Sequence, residues 1–252
     1  MGMKSIRRII GNTLLGALLV NVLWYAAAVS LRMNVLVDPI TVYAHLGEVL
    51  QKSMAEHLLA SLERIAMGVG TALVLGVGIG LLMNRYRLAD RLFGSFVYFT
   101  YPIPKLALLP VVMLLAGIGD ATKVIMIVLI ILFQIIIATR DAARNIPREN
   151  YNILITLGAG QWTLLKEVTL PAILPDLLTT LRIAIGTAIS VLFVTETYGT
   201  DKGMGYFIVD SWMRINYVDM YAGIVILSMM GFLLFLLIDL LESSLCGWKN
   251  KE

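Results

Sequence analysis

The sequence predicts an all-α, polytopic membrane protein with six spanning helices. Of its 252 residues, 59% are hydrophobic and only 15% are charged, and the mean hydropathy is +0.84. Soluble domains carry roughly 45–50% apolar and about 25% charged residues, so this chain lacks the polar surface to coat a water-soluble globule. Its charges cluster between long apolar runs, and its Lys and Arg alternate unevenly from one connecting segment to the next. Such a composition excludes a cytosolic enzyme, a disordered regulator and a disulfide scaffold. The lone Cys246 has no internal disulfide partner.

A helix crosses roughly 30 Å of hydrocarbon with about 20 residues, which sets the expected spans at 9–31, 60–84, 92–118, 122–140, 174–196 and 219–241. Spans of this length must be helical, because backbone groups left unsatisfied in lipid cost several kcal/mol each. The first run follows Lys4, Arg7 and Arg8 and contains Ala26, Ala27 and Ala28, a pattern that also fits a secretory leader. Its 23 residues are long for one, and removing it would misplace the basic loops. The third run holds Pro102, Pro104 and Pro110 around Lys105. Interrupted spans often line a substrate route, so a broken helix is expected here, with Pro104 on the translocation pathway.

Orientation follows the basic residues. With the N-terminus inside, twelve lie in cytoplasmic segments (Lys4, Arg7, Arg8, Arg85, Arg87, Arg91, Arg140, Arg144, Arg148, Lys166, Lys249, Lys251) and five outside (Arg32, Lys52, Lys123, Lys202, Arg214). Both termini are therefore expected in the cytoplasm.

The cytoplasmic segment at about 148–168 is mixed in character. It turns apolar at Tyr151, Ile153, Leu154, Ile155 and Leu157, breaks at Gly158-Ala159-Gly160, and resumes at Trp162, Leu164, Leu165 and Val168. Glycines flanking Ala159 signal a helix stop and turn, predicting two short helices. They would either lie on the headgroups or form a knob for a cytosolic partner.

The fifth span is expected just after Pro171 and Pro175, which a first helical turn tolerates. Thr179, Arg182, Gly186 and Ser190 then share one face, which either packs closely against another helix or lines a wet cavity. Arg182, about 10 Å deep by helical rise, either snorkels or faces a cavity. Glu196 at the span's far rim is a partner for Arg64, as a structural ion pair or as a gate. Gln134, an amide within the fourth span, needs a partner or water. The stretch 203–217 is too short and charged to cross and is expected as a helix at the outer face. His45 and His57 read as exposed loop residues, and no metal site is expected. No Gly-x-x-x-x-Gly-Lys-Ser/Thr phosphate loop occurs, so any ATP must bind another polypeptide.

From Gly158, nine residues precede Val168-Thr169-Leu170-Pro171. This spacing resembles the cytoplasmic signature of permease subunits of ABC importers. Further pieces resemble the nitrate, sulfonate and taurine-type branch: Ser61-Leu62-Glu63-Arg64; Pro104 through Pro110; Gly117-Ile118-Gly119-Asp120 with Lys123; Glu196; Gly203-Met204-Gly205; and Glu242 with Trp248. The family's Glu-Ala-Ala triplet falls on Asn152, Ile153 and Leu154, which do not match. The resemblance implies a type I importer permease fold and ATPase coupling through Asn152, Thr156, Gly158, Ala159, Gly160 and Pro171. It also implies ABC ATPase subunits holding ATP and Mg, a second permease subunit (a homodimer), an extracytoplasmic solute-binding protein, membrane lipid around the spans, and no nucleic acid. An ion-driven secondary transporter or a membrane scaffold is the alternative. The former would show more intramembrane carboxylates and a repeated half.

Overall fold

The computed structural model describes the backbone of residues 3–51 and 54–247 and the side chains of residues 15–51 and 54–247. The side chains of Lys4, Arg7 and Arg8, together with Lys52, Trp248, Lys249 and Lys251, lie outside the described residues. Among the described residues every regular element is helical: α1 (Met3–Leu31), α2 (Pro39–Gln51), α3 (Met54–Arg85), α4 (Arg87–Thr100), a 3-10 turn (Lys105–Leu108), α5 (Leu109–Ala116), α6 (Asp120–Arg144), α7 (Arg148–Thr156), α8 (Gln161–Leu164), a π-helical turn (Leu165–Thr169), α9 (Leu170–Thr195), α10 (Met204–Met213) and α11 (Tyr217–Leu245). Among the described residues, four continuous helices are long and apolar enough to cross a membrane: Met54–Arg85, Asp120–Arg144, Gln161–Thr195 and Tyr217–Leu245. A fifth crossing is made if α4 and the Lys105–Ala116 helix, bent by 86°, act as one broken span. Leu114 and Leu115 are 86% and 83% exposed, an arrangement that only an apolar solvent makes favourable.

The chain forms two compact units. The first comprises residues 1–61 and 201–230. Its core joins Val42 and Val49 of α2, Met54 of α3, Met204 of α10, and Ala222 and Ile226 of α11. Trp24 of α1 stacks on Tyr221 at 5.5 Å and donates its indole N–H to the Val37 carbonyl at 2.9 Å. Asp38 caps α2 by accepting from the backbone N–H groups of Ile40 and Thr41 at 3.0 Å each. The start of α10 is capped from a distant segment. Met204 N–H donates to Ser61 Oγ at 2.8 Å and Gly203 N–H to His57 Nδ1 at 3.2 Å, satisfying donors that a helix start leaves without intrahelical partners. His45 lies 2.8 Å from Asp219. Both histidines, expected as exposed loop residues, are therefore helical and partnered.

The second unit, residues 62–200 and 231–252, packs α6 against α9, and Met126, Ile127, Ile131 and Ile135 of α6 and Ala184, Ala188 and Leu192 of α9 are buried in it. Three α3 glycines bring that helix hard against α6. A Cβ on Gly68, Gly76 or Gly80 would stand 2.6 Å from Ile127, Ile135 or Thr139 respectively.

The broken helix expected in the third run is α4 and α5, separated at Pro102–Pro104. The helix that carries the fifth expected span, 174–196, runs from Gln161 to Thr195, so the second short helix of the mixed segment, α8, continues into it. Pro171 and Pro175 lie within that helical run rather than at its start. The π turn explains how. Leu170 N–H bonds to the Leu165 carbonyl, an i→i−5 bond, so the hydrogen-bond register has already widened where Pro171 cannot donate.

Candidate functional site

The Gly158 turn is built by its backbone. Gly158 takes φ +79°, a left-handed conformation that glycine adopts without a Cβ penalty. Its N–H donates to the Ile155 carbonyl and Ala159 N–H to the Leu154 carbonyl, both at 2.9 Å. These two bonds form a Schellman motif, which ends α7 and satisfies its last carbonyls. Thr156 Oγ1 donates to the Asn152 carbonyl at 2.8 Å, and Gly160 is the extended residue before α8. The result displays Ile153, Leu157 and Trp162, which are 68%, 77% and 74% exposed. Behind it, the Tyr151 and Thr169 hydroxyls lie 3.1 Å apart, tying α7 to the π turn. A cavity of about 1050 Å³, lined by Arg85, Arg144, Arg148, Tyr151 and Trp162, opens beside them.

A charge cluster ties α3, α6 and α9 together. Arg64 donates to Glu196 at 2.6 Å, to Asp120 at 2.6 Å and to the Thr200 hydroxyl at 3.2 Å. Arg64 and Glu196 are buried, whereas Asp120 is largely exposed. Lys123, counted among the outer-side cations, is buried in the first turn of α6 and donates to the Gly119 and Gly199 carbonyls at 3.1 and 3.4 Å. The sequence pointed to the Arg64–Glu196 pair but gave Asp120 no part in it, although Asp120 ends the quoted Gly117–Asp120 motif.

Arg182 neither snorkels alone nor faces an open cavity. It forms ion pairs with Asp239 and Glu242 of α11, the latter at 3.1 Å. Asp239 bounds the last apolar run in the sequence, and that was the available signal for a partner. Gly186 lies on the same packing face, where an added Cβ would meet the Phe235 ring at 3.4 Å. Ser190 donates back to the Gly186 carbonyl at 3.1 Å, and Thr179 likewise to the Pro175 carbonyl at 3.0 Å. Pro104 and Gln134 come together away from this face. They line a pocket of about 300 Å³ with Tyr101, Ile103, Lys105, Leu106 and Ile130.

A multi-helix membrane fold with a broken span and an exposed apolar turn is the architecture of a transport permease. The chain belongs to the family described as the binding-protein-dependent transport system inner membrane component, whose profile matches residues 72–245. It is therefore a multi-pass inner-membrane transport subunit and not an enzyme. It is 30% identical to the formylaminopyrimidine transport permease protein ThiX of Halalkalibacterium halodurans, over 93% of this chain and 94% of that one. It is 28% identical to the taurine transport system permease protein TauC of Escherichia coli, over 78% and 71% respectively. In fold it is similar to a chain of the bacterial alginate ABC transporter solved with an alginate pentasaccharide-bound periplasmic protein, with a TM-score of 0.67, 16% identity, and 95% and 96% of the two chains covered.

Proposed function

We propose that this chain forms half of the translocation pathway of an ATP-driven importer for a small solute. It would work as a homodimer with two ATPase subunits that bind ATP and Mg and with an external solute-binding protein. Both termini and the Gly158 turn would then face the cytoplasm. The observation that carries this reading is the exposed apolar surface of Ile153, Leu157 and Trp162 on a rigid Schellman-closed element. Uncovered side chains of that size seek a partner surface. The Tyr151–Thr169 contact offers a route from that surface into the helix that continues as α9. Coupling requires that the ATPase interact differently with two states of this element. Asn152, Thr156, Ala159, Gly160 and Pro171 would shape it, while Arg182, Gly186, Ser190 and Glu196 would shape the pathway.

Relatives carrying formylaminopyrimidine and taurine support a small polar solute. The intramembrane cations favour an anion such as nitrate, a sulfonate or taurine. In the complex reconstituted with its co-expressed ATPase, Leu157→Asp and Gly158→Pro should each reduce solute-stimulated ATP hydrolysis at least tenfold, with membrane insertion unchanged. Stimulation at the wild-type level in both variants would remove this element from the coupling route.

A further inference from the structure

Cations within spanning helices are costly unless answered. Among the described residues, Arg64 is answered by Glu196 and Asp120, and Arg182 by Asp239 and Glu242. Lys123 sits in the field of Asp120 and Glu196. Lys105 differs. It stands at the break between α4 and α5, and no carboxylate lies within ion-pair distance of it among the described residues. Its ammonium donates to the Thr100 and Tyr101 carbonyls at 3.3 and 3.1 Å. It also lies 4.7 Å from the centre of the Phe133 ring and 5.3 Å from that of Tyr101. Two of its three N–H donors are thereby used, and its charge meets only carbonyl dipoles and ring faces. These soften the cost without neutralising the cation.

The same pocket of about 300 Å³ is lined by Gln134, whose Oε1 is buried and has no hydrogen-bond partner. A buried acceptor left unmet carries its full desolvation penalty. The pocket thus presents two unmet demands, a negative group for Lys105 and an N–H or O–H for Gln134. Tyr101, Ile103, Leu106 and Ile130 supply an apolar wall.

We propose that the Lys105–Gln134 pocket at the broken helix is a solute subsite that takes a small organic solute carrying an anionic group and its own hydrogen-bond donor. The proposal rests on the importer reading and adds the residues and the ligand chemistry. An anionic phospholipid headgroup shares part of that chemistry, so the test separates the two sources.

The full chain in phosphatidylcholine nanodiscs is titrated with taurine (a sulfonate with an ammonium donor), ethanesulfonate (the sulfonate without the donor) and ethanolamine (the ammonium donor without the sulfonate). Taurine should bind most tightly, ethanesulfonate several-fold more weakly, and ethanolamine not measurably. Lys105→Met should weaken both sulfonates about tenfold, and Lys105→Arg should restore most of that loss. Gln134→Leu should weaken taurine about fivefold and leave ethanesulfonate unchanged, a split that general misfolding would not produce. Absence of sulfonate binding by the wild-type chain would overturn the proposal. So would equal losses for all probes in both variants, or Lys105-dependent capture of phosphatidylglycerol that sulfonates fail to displace. ATPase stimulation in the reconstituted complex is read separately. Its loss with the binding pattern intact would count against the importer reading alone.

Discussion

Arg64 shows what a buried cation demands of its neighbours. Its side chain is 5% exposed and that of Glu196 1%, and removing one partner of such a pair costs about 3–5 kcal/mol because the other charge is left buried. Asp120 changes the ranking of substitutions. Glu196→Gln keeps an amide oxygen where the carboxylate was and leaves Arg64 paired to Asp120 at 2.6 Å. Arg64→Met removes the cation that faces the buried Glu196 carboxylate. Thermal unfolding in detergent should therefore drop several degrees for Arg64→Met and markedly less for Glu196→Gln. Equal drops would show that Asp120 gives no cover. If the pair also gates, Glu196→Gln should alter transport in a fully assembled complex. A gentler case is Asp38, whose carboxyl is held below its ordinary value by the Thr41 hydroxyl and by backbone N–H donors. A depressed folded-state value stabilises α2 above the unfolded carboxyl range near pH 4 and is lost as pH falls through the lowered value. Amide protection at Ile40 and Thr41 should fall in that acid window, and Asp38→Asn should remove the pH dependence.

At the scale of elements, the α3–α6 contact is set by Gly68, Gly76 and Gly80. Alanine in a helix interior gains about 1 kcal/mol over glycine, whereas overpacking costs about 1–3 kcal/mol, so clash decides the sign. At Gly68 and Gly76 the nearest atoms are Cγ2 and Cβ of Ile127 and Ile135, close to their own backbone and stiff at χ1, so both substitutions clash. At Gly80 a Cβ would also meet the Ile136 carbonyl oxygen at 2.8 Å, which backbone hydrogen bonding holds in place. Gly80→Ala should therefore destabilise most, whereas Gly70→Ala, with open space around it, should be neutral or stabilising. The reverse order in thermal unfolding would refute this packing. The elements themselves were largely legible in the sequence, because charge-free runs and lipid thickness leave few choices. The Gly158 turn was legible for the same kind of reason, since only glycine takes φ +79° freely. The continuity from Gln161 into α9 was not. Two prolines normally mark a helix start, and the π turn that accommodates Pro171 depends on a hydrogen-bond register with no compositional signal. Ion-pair partners were half legible. Arg182 was read as snorkelling or facing a cavity, since its partners Asp239 and Glu242 lie 57 and 60 residues away in sequence and no local pattern links them.

For the whole molecule, the distribution of charge matters more than the net +3. Among the described residues, the cations inside spanning segments are answered within the unit that holds them, Lys105 excepted. Arg85, Arg87, Arg91, Arg140, Arg144 and Arg148 crowd the ends of α3, α4, α6 and α7. Moving one positive charge against a 100 mV potential costs about 2.3 kcal/mol, so carrying Arg140, Arg144 and Arg148 across together would cost roughly three times that. The basic ends should stay in the cytoplasm, and the turn at Gly158, ten residues beyond Arg148, should stay with them. Sidedness can be read with one cysteine. Cys246 is 1% exposed and packs with Leu178, Ile185 and Ile238, so the near-isosteric Cys246→Ser provides a silent background. Leu157→Cys then places a thiol on a 77% exposed site. An impermeant maleimide should label it in inverted membrane vesicles and not in intact spheroplasts, and co-assembly with the ATPase should block the labelling. Labelling from the outside would invert the orientation and leave the exposed turn with no motor to meet.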